Sequence, residues 1–141
     1  MAYAVRQDLI DRYGEQPLVQ ATDRADPPTG LIDEAVLARA LGDAEAEIDA
    51  HLATRYTLPL ESVPEVLTRW TCAIAYYLLL GEAAGEQAKK RYEDVMKSLR
   101  LVAAGEITLG ADASSQVVAT AGGARASAPD RVFSDDTLAD Y

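Results

Sequence analysis

EIDAHLATRYTLPL, residues 47–60, decides how the fold is read. Ile48 and Leu52 end an apolar stripe at helical spacing, and Tyr56, four residues on, continues it. Then come Thr57-Leu58-Pro59-Leu60 with no glycine to stop the helix. Tyr56, Leu58 and Leu60 read as a packed connection between two helices, with the Tyr56 ring against the core and its hydroxyl in water. Arg55 falls near a helix C-terminus, where a cation meets the negative end of the backbone dipole. It equally suits a carboxylate on a neighbouring chain. A long amphipathic helix must therefore precede the stretch, and another must follow it.

Upstream, Asp33 is placed to cap that helix, with Ile32 stapling onto Leu37. Val36, Leu37, Ala40, Leu41, Ala44, Ile48 and Leu52 recur at three- and four-residue steps, and Glu34, Arg39, Asp43, Glu45, Glu47 and Asp49 form the wet face. Downstream, Pro64 suits a first helical turn. The helix it opens has no charge from Trp70 to Leu80 and is apolar on both sides. That pattern predicts burial on several sides, one of them against another copy of the chain. Gly81 and Gly85 bracket a break. A further helix carries Ala88, Tyr92, Val95, Met96, Leu99 and Val102 inward, with Glu93 and Lys97 as an exposed pair, and ends at Gly105. At the other end, residues 3–14 read as a short helix closed by Gly14 in a left-handed cap, and residues 15–30 as a loop centred on ADPPTG.

The expected fold is all-α: a small bundle of about four helices over residues 1–109, followed by an extended arm over 110–141. The arm begins small, polar and glycine-dotted, too poor in apolar groups to fold alone, yet closes on RVFSDDTLADY. That ending reads as a segment that orders against something else.

The chain has 141 residues and a net charge of −10, from 23 acidic against 13 basic side chains. Such a balance opposes gripping nucleic acid, which needs cations against phosphates. One cysteine allows no internal disulfide. MAYAVRQDLID does not read as a signal peptide, and the apolar run at AIAYYLLL is far short of the ~20 residues that span a bilayer. Glu47 and His51 are one turn apart, but a metal site needs three or four convergent ligands, so both read as solvated surface. Cys72 reads as a buried structural thiol. Ser114, Ser115 and Ser134 have no histidine-centred arrangement beside them, and GGAR at 122–125 lacks a phosphate loop's flanking strand and lysine. No enzyme and no cofactor are expected.

Tyr3-Ala4, Asp8-Leu9, Arg12-Tyr13-Gly14, Thr22-Asp23, DEAVLARALGDAEAEIDAHLATRYTLPL, VPEVL, KRYEDVMKSLRLVAAGEITLG and PDRVFSDDTLADY occur in that order. Together they resemble a Mu-like phage protein family formerly of unknown function, over nearly the whole chain. Val5 stands where the family more often has a capping Thr, and Ala21 where it more often has Leu. The family resembles the head-to-tail connectors of long-tailed phages. The resemblance implies a virion neck component assembled in the bacterial cytoplasm: a ring of about twelve copies beneath the portal protein and above a downstream neck or tail-terminator protein. DNA would pass through it without specific binding, and no membrane would be involved. Arg55, Tyr56, Trp70, Tyr77, Arg131, Phe133, Leu138 and Tyr141 are the expected subunit or partner contacts. Asp23, Asp26, Glu45 and Asp49 are the acidic candidates for the channel wall. The alternative is a small acidic helical module that binds a protein partner as a monomer or dimer.

Overall fold

The structure is a computed structural model that describes residues 2–110. It is all-α: α1 (Arg6–Tyr13), α2 (Glu15–Thr22), α3 (Glu34–Leu52), α4 (Glu65–Leu80), a 3-10 turn (Gly81–Ala83) and α5 (Glu86–Ala104), with no strand among the described residues. The long helices fall where the apolar spacing put them. Asp33 Oδ1 caps α3 by accepting from the Ala35 and Val36 N–H groups at 3.0 and 3.1 Å. Leu37, Ala40, Ala44, Ile48 and Leu52 form the buried stripe of α3, and Val95, Met96, Leu99 and Val102 that of α5.

α4 is the axis of the molecule and packs against each of the other α-helices. From Trp70 to Ala75 every residue on it is buried. This chain thus covers the middle of α4 itself, while Leu78 nearer its end is left exposed. Part of the cover comes from an element that the sequence reading had assigned to a loop. Residues 15–22 form α2, so the bundle has five α-helices rather than four. Pro17 sits in the first turn, where a proline costs no hydrogen bond. Leu18, Val19 and Thr22 are the buried residues of α2, which touches both α3 and α4.

Gly14 joins α1 to α2 with φ 86° and ψ 161°. The positive φ explains the glycine, but the extended ψ is not the expected left-handed cap. The loop after α2 is closed at its base by two neighbouring side chains. The Thr22 hydroxyl donates to Leu18 O at 2.7 Å and accepts from the Asp33 N–H at 3.0 Å. Asp23 Oδ2 accepts from the Gly30 N–H at 2.8 Å. The Asp26–Pro27 and Leu58–Pro59 peptide bonds are cis.

Candidate assembly surfaces

The stretch 47–60 ends α3 without glycine by doubling up on one carbonyl. Arg55 N–H and Tyr56 N–H both donate to Leu52 O, at 2.9 and 2.7 Å. The Thr54 hydroxyl donates to His51 O at 2.8 Å. These bonds serve carbonyls that a helix end otherwise leaves to water. The turn sends Tyr56 inward, where it is 1% exposed. Its hydroxyl is not wet, as the sequence reading had it, but accepts from the Leu109 N–H at 3.2 Å. One side chain thus joins the end of α3 to the chain beyond α5. Arg55 lies across the C-terminal end of α5, with its guanidinium against Gly105. Its Nε is buried and has no hydrogen-bond partner among the described residues. The cation therefore stands at the negative end of a helix of its own chain.

Of the other expected contacts, Trp70 is 8% exposed and belongs to the core. Tyr77 is half-buried and stacks on Tyr92, with centroids 4.3 Å apart and rings at 15°. Tyr56 and Trp70 thus spend their surface inside the chain, where a sister copy has little to touch. Arg131, Phe133, Leu138 and Tyr141 lie outside the described residues. Among the described residues, the large apolar side chains left facing outward are Val5, Leu31, Leu78 and Ile107, the most open being Leu31 at 69%.

The acidic candidates divide in the same way. Glu45 accepts from the Tyr3 N–H at 2.9 Å, and Asp49 accepts from the Tyr3 hydroxyl. Thr68 completes the clasp by donating to Tyr3 O at 2.8 Å. Burial first, and the Asp49 carboxylate second, push the Tyr3 hydroxyl's pKa well above its ordinary value. Glu47 accepts from the Tyr92 hydroxyl at 3.1 Å. Asp23 holds its loop, and the Gly30 N–H keeps its carboxyl below the usual range. Asp26 is exposed. So Glu45, Asp49 and Asp23 are fold-holding acids, which their position on a polar face did not signal. The signal that could have found the clasp is a tyrosine near the start of the chain, followed by a helix with carboxylates four residues apart.

His51 Nδ1 lies 2.9 Å from Glu47 O, within its own helix, and no cluster of three metal-ligating side chains occurs among the described residues. The Cys72 thiol is buried, which pushes its pKa up to about 11, with the nearby Arg12 guanidinium partly opposing the rise. No helix among the described residues is long and apolar enough to cross a membrane.

The described residues thus make a small all-α body of five α-helices, with Glu45 and Glu47 tied to Tyr3 and Tyr92 of its own scaffold. Its relatives place it more closely. The chain belongs to the family described as Bacteriophage Mu, Gp36, which matches residues 3–128. It is 39% identical over 135 residues to the Mu-like prophage FluMu protein gp36 of Haemophilus influenzae, covering 96% of this chain and 94% of that one. It is 38% identical over 112 residues to gene product J of Escherichia phage Mu, covering 79% of each.

Proposed function

We propose that this Mu-like phage protein is a structural component of the virion neck, a head-to-tail adaptor that closes as a ring between portal and tail. The observation that carries this reading is the use of its polar side chains. In a chain of a Mu-like phage family, Glu45, Glu47, Asp49, Thr22 and Asp23 each accept a hydrogen bond that holds one segment to another. Such a body acts through shape and surface. Lateral contacts would use the outward Val5, Leu31, Leu78 and Ile107, with residues 110–141 supplying a strap to a neighbour, the portal or the tail. A net charge of −10 suits the wall of a conduit, since like charge keeps passing DNA from adhering.

The test is complementation. Phage with an amber mutation in this gene should accumulate filled heads and separate tails, and purified protein added to the lysate should join them. Normal joining without the protein refutes the adaptor reading. The second reading, a protein-binding module acting as monomer or dimer, is favoured by the self-covered α4. Sedimentation with and without purified portal separates the two, because only the adaptor forms a large ring on the portal.

A further inference from the structure

Between α1, α4 and α5 the surface opens into a groove of about 500 Å³. Three guanidinium groups line it, from Arg12, Arg69 and Arg91, with Asp94 the one carboxylate. Its floor is aromatic. Trp70 lies there, and the Tyr13 ring is held by a stack on Tyr76, 4.1 Å between centroids and 8° between planes. All three arginines are exposed. None is in a salt bridge among the described residues, where the ion pair formed is Arg6–Glu34 at 2.8 Å. Cations and aromatic rings lining one concave site suit a peptide with carboxylates and an aromatic anchor. On a chain of net charge −10, this concentration of positive charge also stands apart.

The same chain carries such a peptide. Residues 130–141, DRVFSDDTLADY, hold four aspartates against one arginine, together with Phe133, Leu138 and Tyr141. Nineteen residues lie between Gly110 and Asp130, and that stretch reaches up to roughly 66 Å when extended, several times the width of a small bundle. A tether of that length keeps the peptide near the groove at about millimolar effective concentration, so a weak site is filled.

We propose that the Arg12–Arg69–Arg91 groove binds the acidic aromatic segment 130–141 of its own chain. Asp135 and Asp136 pair with the guanidinium groups, and Phe133 packs toward Trp70. In a free subunit the strap is thus folded back on the body. The docking stands whether or not the protein sits in a neck.

Cross-linking of the full chain tests it. Ser98 lines the groove, so Ser98→Cys with Ser134→Cys places one thiol at the site and one beside Phe133. Ala38→Cys with Ser134→Cys is the control, because Ala38 lines a different groove with Val5 and Leu41. Cys72 is fully buried and does not compete. With a short bismaleimide, the groove pair should link within one chain about tenfold faster than the control pair, as a docked rather than wandering strap requires. Arg69→Glu with Arg91→Glu should bring the two rates together, and adding Asp135→Arg with Asp136→Arg should restore the difference. Thermal melts of each variant check that the body still folds. Equal rates for the two pairs in the unreversed chain, or no loss on charge reversal, overturn the groove. Dimers as the dominant product overturn the intrachain source.

Discussion

Gly105→Ala, made with and without Arg55→Ala, measures what Arg55 does in the folded chain. Gly105 has φ 83° and ψ 11° and ends α5 in a Schellman motif. Its N–H donates to Val102 O at 3.0 Å, and the Glu106 N–H donates to Leu101 O at 2.9 Å. An alanine there meets two separate costs. The left-handed backbone costs about 1–2 kcal/mol for any residue with a β-carbon. The new β-carbon would also overlap Arg55 Nη1 and come within 3.0 Å of its Cζ, so the guanidinium must leave. Its departure costs at most what a cation contributes at a helix C-terminus, about 0.3–2 kcal/mol.

Gly105→Ala should therefore cost roughly 1.3–4 kcal/mol in the natural chain, but only about 1–2 kcal/mol once Arg55 is alanine. Urea unfolding of the four proteins gives the coupling, and midpoint shifts at constant slope keep the comparison valid. In a thermal melt each kcal/mol should appear as about 4 °C or more. Equal costs in the two backgrounds, within about 0.3 kcal/mol, would show that Arg55 does not sit over the end of α5. That result would return Arg55 to the surface, as a candidate for pairing with another subunit.

Other substitutions read other joints. Val5 caps α1 without a side-chain acceptor, while Asp8 Oδ2 already accepts from the Val5 N–H at 2.8 Å. Val5→Thr should complete the reciprocal box and stabilise the chain by about 0.5–1 kcal/mol, seen as a higher urea midpoint. Tyr56→Phe removes the acceptor for the buried Leu109 N–H and should cost about 1–3 kcal/mol, with loss of amide-exchange protection at Leu109. Thr22→Val keeps the shape but strands the Asp33 N–H, at about 1 kcal/mol in the same unfolding assay. The folded pKa of Asp23 lies below its unfolded value. Its contribution is therefore present above the ordinary carboxylate range and lost as pH falls through the lowered folded value. Asp23→Asn should flatten that part of the acid-unfolding curve, and an unchanged curve would refute the loop-holding role.

The long helices were legible because apolar residues at three- and four-residue spacing leave a chain of this size few ways to bury them. Leu37 to Leu52 on α3 and Val95 to Val102 on α5 are such runs. α2 was not legible, because two turns hold only Leu18, Val19 and Thr22 as buried residues and Pro17 looks like a breaker. Without α2, the apolar second side of α4 had less of its cover legible within the chain. The polar joints were hidden for a different reason. A carboxylate on a wet helical face looks the same in sequence whether it meets water or the hydroxyl of a residue 46 positions away, as Asp49 meets Tyr3. Arg55 at a helix C-terminus was anticipated, but the helix it serves is α5, not its own α3.

On the adaptor reading, the covered middle of α4 changes where the energy of assembly must come from. If α4 had an open apolar side, ring closure would be driven by burying it, and the free subunit would tend to aggregate. With the middle of α4 enclosed by its own chain, the large apolar groups left outward among the described residues are the single side chains Val5, Leu31, Leu78 and Ile107. Single residues of that kind give weak lateral contacts, about 1.5–3 kcal/mol for each one fully buried. Contacts so weak leave subunits separate in solution and add up only when a template holds many of them in place. The adaptor reading therefore predicts a monomer at micromolar concentration that forms rings on purified portal and nowhere else. Sedimentation velocity over a hundredfold concentration range checks this, and spontaneous rings without portal would refute the reasoning.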